Sequence, residues 1–191
     1  MKKLTGLKTK TAVFISGNGT NLKNLIKFSY QKTSPISINL VISNIKKAKG
    51  LQYIKNNNIE KKVISFKNQN NAEKKTMNIL HKKRIELICL AGFMKILSKK
   101  FLKKFQGKII NIHPSLLPKY KGLNTHKRVL ENNEEFSGCT IHYVTSKLDS
   151  GKIIMQKKIK IAKNDNAKSL QKKILRKEHK LYPEAIRKIF T

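Results

Sequence analysis

The chain has 191 residues, enough for one domain with a substantial core. Lys and Arg number 43 against 10 Asp and Glu, giving a formal net charge of +33, which on its face points to nucleic acid. The lysines are spread along the chain with no basic tail, and Asn and Ile are abundant beside them, as in Asn56-Asn57-Asn58. All three residue types share A/T-rich codons, so compositional drift explains the charge and no specific nucleic-acid partner is expected.

Hydrophobic residues, 39% of the chain, fall in short dense runs that argue against disorder. None is long enough for a membrane span, and no secretory signal is legible after Met1-Lys2-Lys3. Cys89 and Cys139 lack CxxC spacing and lie in apolar surroundings, so buried reduced thiols and a cytoplasmic location are expected.

In chain order, residues 11–16 (TAVFIS) read as a buried strand ending in glycines. Residues 21–28 carry Leu22, Leu25 and Ile26 at helical spacing. Strands are predicted at 36–43, 62–66 and 87–90, with helices at 51–57 and 72–83 between them. The unbroken apolarity of 87–90 (LICL) predicts burial on both faces. A further strand at 108–112 runs into His113-Pro114. Residues 139–144 and 153–161 follow without a helix between them and are expected to pair antiparallel. A long helix at 166–189, bent near Pro183, closes the chain. This alternation predicts a single-domain α/β fold over residues 11–191, after a short extension at 1–10. Its sheet is mostly parallel and twisted, flanked by helices, with an antiparallel extension near the C-terminal half.

Three segments have the residue types for chemistry. Ser16-Gly17-Asn18-Gly19-Thr20-Asn21 joins a strand to a helix, where backbone N–H groups and close approach favour one phosphate. It lacks the third glycine and the downstream acid of a dinucleotide site, and an ordinary tight turn is the alternative. Asn111 and His113 alternate onto one side of a strand at its carboxyl end, where an amide and an imidazole can stabilise an oxyanion and move a proton. An isolated His of this kind is otherwise a satisfied core residue. Asp149-Ser150-Gly151 keeps a scarce acid in a turn, a position Asp also takes for structural reasons alone.

The stretch 111–126, NIHPSLLPKYKGLNTH, resembles the signature of the folate-dependent formyltransferases, in the form used by the glycinamide ribonucleotide branch. FISGNGTNL (14–22), LAGFMKILS (90–98), GCTIHYVTSKLDSGKIIMQ (138–156) and KEHKLYP (177–183) extend the likeness in the family's order. The resemblance implies a Rossmann-like sheet and transfer of a formyl group from 10-formyltetrahydrofolate, as cosubstrate, to the amine of glycinamide ribonucleotide in purine synthesis, without a metal. It matches Asn111, His113 and Asp149 to the catalytic trio, and Gly19, Thr20 and Asn21 to the substrate-phosphate loop. Glu178 matches the acid near the ribose. Met94, Lys95, Ile96 and Leu97 match the folate-bordering loop, as do Thr145, Ser146, Lys147, Leu148 and Asp149, with Asn111 also touching the folate. Asp149 is expected to hold His113 in its charged form. Position 95 is Lys where Arg is common, and residues 68–75 give no secure counterpart to a folate-contacting Arg. The expected partners are these small molecules, with no specific nucleic acid and no membrane, in a monomer or weak dimer. The alternative reading is formyltetrahydrofolate deformylase, with water as acceptor. That enzyme usually carries an N-terminal regulatory domain, where only ten residues precede the first predicted strand.

Overall fold

The computed structural model describes residues 7–55 and 58–190. Seven strands form one sheet in the order β3-β2-β1-β4-β5-β6-β7. These are β1 (Thr9–Ile15), β2 (Ile36–Ser43), β3 (Glu60–Val63), β4 (Leu87–Leu90), β5 (Lys108–His113), β6 (Phe136–Tyr143) and β7 (Ile153–Lys160). The helices are α1 (Thr20–Ser29), α2 (Gln69–Lys82), α3 (Lys99–Lys104), α4 (Thr125–Glu131) and α5 (Ala167–Phe190). Among the described residues no helix is long and apolar enough to cross a membrane.

The chain forms two compact units, one running through Ile110 and taking in Phe190, the other spanning Asn111–Ile189. In the first, β1 pairs in parallel with β2 and β4, and β2 with β3. The central position of β1 explains its apolar run: Ala12, Val13, Phe14 and Ile15 are fully buried. Leu87, Ile88 and Cys89 of β4 are equally buried, as the unbroken LICL run predicts. Helix α1 buries Leu22, Leu25 and Ile26, the residues its periodicity singled out. Each such side chain contributes roughly 1.5–3 kcal/mol relative to exposure.

Three expectations need correction here. The strand expected at 62–66 is β3, Glu60–Val63, shifted toward the N-terminus. It lies at the edge of the sheet, where exposed Lys61 and Lys62 suit an unpaired side, while the apolar Ile64 and Phe66 are buried just beyond it. The helix expected at 51–57 is a short 3₁₀ turn at Lys49–Ile54, and Asn56 and Asn57 lie outside the described residues. Residues 9 and 10, assigned to the N-terminal extension, already belong to β1.

In the second unit β6 and β7 pair antiparallel, as expected. Helix α5 lays Leu170, Ile174, Leu181, Tyr182, Ala185 and Ile186 along one fully buried stripe. It continues through Pro183. Glu178 sits on that same stripe and is buried, a carboxyl where the helical period calls for an apolar side chain. Helices α3 and α4, both short, were not anticipated from the sequence; Ser98 caps α3 by accepting from the Phe101 N–H.

Candidate active site

In the second unit, Asn111 and His113 reach one face of β5, and Pro114 follows at once, unable to continue the ladder. The chain then enters a loop tied down from two strands. Thr140 of β6 donates to the Ser115 carbonyl at 2.6 Å and accepts from the Leu117 N–H at 3.1 Å. Gln156 of β7 donates to the Leu117 carbonyl at 2.8 Å and to Thr140 Oγ1 at 2.9 Å. That leaves the Thr140 hydroxyl fully used. Tyr120 and Gly122 take left-handed backbone conformations, with φ of 57° and 78°. For Tyr120 this costs on the order of 1 kcal/mol, the kind of strain held at functional sites. It aims the Tyr120 carbonyl at His113 Nε2, 2.8 Å away. The Gly122 N–H donates to Asp149 Oδ2 at 2.9 Å.

Asp149, itself at φ 44°, is the centre of the cluster. Its Oδ2 lies 3.3 Å from His113 Nδ1. Its Oδ1 lies 3.5 Å from Asn111 Nδ2 and 3.6 Å from His142 Nε2. The structure thus brings together the three residues singled out from separate stretches of sequence. It adds His142, on β6, 2% exposed and 3.2 Å from Asn111 Nδ2. His142 was missed because a lone His in the apolar run CTIHYV reads as core; its presence in a strand otherwise made of apolar and hydroxyl side chains was the available signal.

Burial pushes the Asp149 carboxyl up, but His142, the Gly122 N–H and the neighbouring imidazoles outweigh it, and the group stays below the usual carboxylate range. His113 goes the other way from expectation. Burial drives its pKa below the ordinary imidazole value of 6.5; the Tyr120 carbonyl and the Asp149 charge push it up without prevailing. The carboxylate acts in the direction the sequence reading gave it, but desolvation wins, so Asp149 does not keep His113 charged at neutral pH.

The glycine loop lies in the first unit. Gly19, at φ 68°, stands just before α1, whose first turn has neither an acid nor a side-chain cap. Uncapped first-turn N–H groups favour an anion. Gly19 also has a structural reason to be glycine: a Cβ there would overlap the Gly50 Cα, and the Gly50 N–H donates to the Gly17 carbonyl at 2.9 Å. Asn21 is buried and Thr20 partly so.

The segment at 94–97 is also in the first unit. Met94 and Ile96 are 62% and 59% exposed, unusual for large apolar side chains; Lys95 is exposed, and Leu97 turns into the core. Its ends are fastened. Ser16 Oγ accepts from the Met94 N–H at 2.7 Å. Gln69 Nε2 donates to the Ile96 carbonyl at 3.0 Å. Glu73, buried on α2, accepts from the Ser98 N–H at 2.7 Å and from its hydroxyl at 2.5 Å. Residues 68–75, which gave no counterpart to an arginine in the sequence, therefore brace this loop. In the second unit Thr145, Ser146, Lys147 and Leu148 form an exposed turn leading to Asp149. Glu178 lies near enough to Cys139 for its charge to raise the thiol, which burial chiefly pushes up to about 12. Both cysteines are buried thiols outside any disulfide, as expected.

A buried carboxylate, two imidazoles and an amide at the end of β5 and β6 define an acid–base site on an α/β scaffold. The formyl transferase family model matches residues 9–186, and the chain belongs to that family. It is 41% identical over 181 residues to a phosphoribosylglycinamide formyltransferase of Haemophilus influenzae, covering 93% of this chain and 85% of that one. The solved phosphoribosylglycinamide formyltransferase of Brucella melitensis superposes with a TM-score of 0.91 at 35% identity, covering 97% of both chains. A trifunctional purine biosynthetic protein of Gallus gallus is 42% identical over 94% of this chain, which spans only 18% of that protein's length.

Proposed function

We propose that the chain transfers the formyl group of 10-formyltetrahydrofolate to the amine of glycinamide ribonucleotide, a step of purine synthesis. The observation that carries this reading is the ionised Asp149 carboxylate, buried beside His113 Nδ1 and facing the Asn111 amide. The neutral amine attacks the formyl carbon and the carbonyl oxygen becomes an oxyanion. An N–H of Asn111 would donate to that oxyanion. Developing negative charge raises the proton affinity of His113, so the imidazolium forms where it is needed, in the transition state, and not before. Asp149 faces the nitrogen that would gain the proton, and the pair relays the amine's proton to N10 as the C–N10 bond breaks. The uncapped start of α1, with Gly19, Thr20 and Asn21, would hold the substrate phosphate. Glu178 would lie near the ribose. Met94, Lys95, Ile96 and Leu97, with residues 145–149, would border the folate.

Asp149→Asn tests the reading. It keeps size and much of the hydrogen bonding and removes the charge. The expected result is a kcat lower by roughly 100-fold or more, with KM for the ribonucleotide little changed. A folded variant keeping more than about a third of wild-type kcat, far above that acid–base scale, would reject the catalytic assignment.

A further inference from the structure

With the His142 ring neutral, its contacts pair donors with acceptors in only one arrangement. Its Nδ1 faces the Tyr143 carbonyl at 2.9 Å, and a carbonyl only accepts, so Nδ1 carries the hydrogen. In the neutral ring Nε2 is then an acceptor. The nearest polar atom to it is Asn111 Nδ2 at 3.2 Å; the Asp149 oxygen at 3.6 Å is beyond hydrogen-bonding distance. Turning the Asn111 amide over would set its carbonyl oxygen against the Asp149 carboxylate, two acceptors face to face. The carboxylate therefore selects the NH₂ orientation, and His142 has the lone pair to receive it.

We propose that His142 is a positioning residue, resting on the formyl-transfer reading: its Nε2 lone pair anchors one N–H of Asn111 so that the other is presented to the reacting oxyanion. The two N–H groups are unequal in the way this role requires. The one on His142 is at ordinary hydrogen-bond length, whereas the one toward Asp149 Oδ1 spans 3.5 Å and is readily exchanged for a closer anion. His142 is buried near the C-terminal end of β6, 2% exposed, so packing limits the movement of its ring. An amide held at one hydrogen has its dipole fixed before the charge develops, which is how such donors gain their effect.

The test uses the whole chain, with wild-type turnover of 10-formyltetrahydrofolate and glycinamide ribonucleotide measured first; absence of that turnover sinks the functional reading, not this inference. His142→Phe keeps the volume and removes the acceptor; His142→Gln can return an acceptor oxygen near the Nε2 position. Expected are a kcat reduced on the order of 10- to 100-fold in His142→Phe, KM values near wild type, and substantial recovery in His142→Gln. In an Asn111→Ala background the same His142→Phe change should cost less than about threefold, because the group it positions is gone. Should His142→Phe fail to fold, nitrogen NMR of the wild-type ring decides alone: protonated Nδ1 and bare Nε2 support the proposal. An Nε2–H tautomer, wild-type kcat in His142→Phe, or equal losses in both backgrounds would overturn it.

Discussion

At His113 two effects oppose each other. Removing an imidazole from water favours its neutral form, and a carboxylate 3.3 Å away favours the charged one. Here desolvation prevails and the neutral ring is favoured at pH 7; in the proposed mechanism it takes up a proton only as negative charge develops beside it. NMR titration should therefore place His113 below 6.5, the ordinary imidazole value. Asp149→Asn removes an upward push and should lower it further; a rise in that variant would contradict this balance. The pairing itself was not legible in the sequence. Asn111 and His113 could be placed together by strand alternation, but that Asp149 reaches them depends on its left-handed backbone and on the Gly122 N–H that receives it. His142 was harder still, since only tertiary contact separates an acceptor from a buried core histidine. Gly19 was legible as a turn, but its close approach to Gly50 could not be read before the 3₁₀ turn was placed.

At the scale of elements, apolar runs located β1, β2, β4, β5, β6 and β7 because each is buried on at least one face along most of its length or pairs with a strand that is. Strand β3 was displaced because an exposed edge strand carries lysines where the pattern needed apolar residues. Helices α3 and α4 are too short to show a period. The loop at 94–98 is held by α2 in a way no local pattern could reveal, through the exposed Gln69 and the buried Glu73. Glu73→Ala would leave the Ser98 N–H and hydroxyl without their partner, a loss of about 1–3 kcal/mol in stability. If this loop borders the folate, KM for 10-formyltetrahydrofolate should rise several-fold while KM for the ribonucleotide changes little. Equal KM values for both substrates in wild type and variant would detach the loop from the folate site.

For the whole molecule, charge and the buried and half-buried histidines set the response to solution conditions. With 43 basic and 10 acidic residues, most cations lack an acidic partner, and self-repulsion opposes the compact state. Tm should rise as salt screens that repulsion over roughly 0.05 to 0.5 M. Binding to DNA should be weak, indifferent to sequence and abolished over the same range. His113, His126 and His179 are each lowered from 6.5, chiefly by burial. Groups with depressed folded-state pKa values contribute stability that is full above the unfolded value and lost as pH falls below it. The urea midpoint should thus decline from pH 7.5 to pH 5.5; a flat profile would show that these rings are not held neutral. The claim on which everything else rests is that the formyl group goes to an amine and not to water. The direct measurement supplies 10-formyltetrahydrofolate with and without glycinamide ribonucleotide and separates the N-formylated ribonucleotide from free formate. Loss of the formyl group only when the ribonucleotide is present, with the formylated amine as product, is the predicted result; formate released at the same rate without it would contradict the account and establish hydrolysis instead.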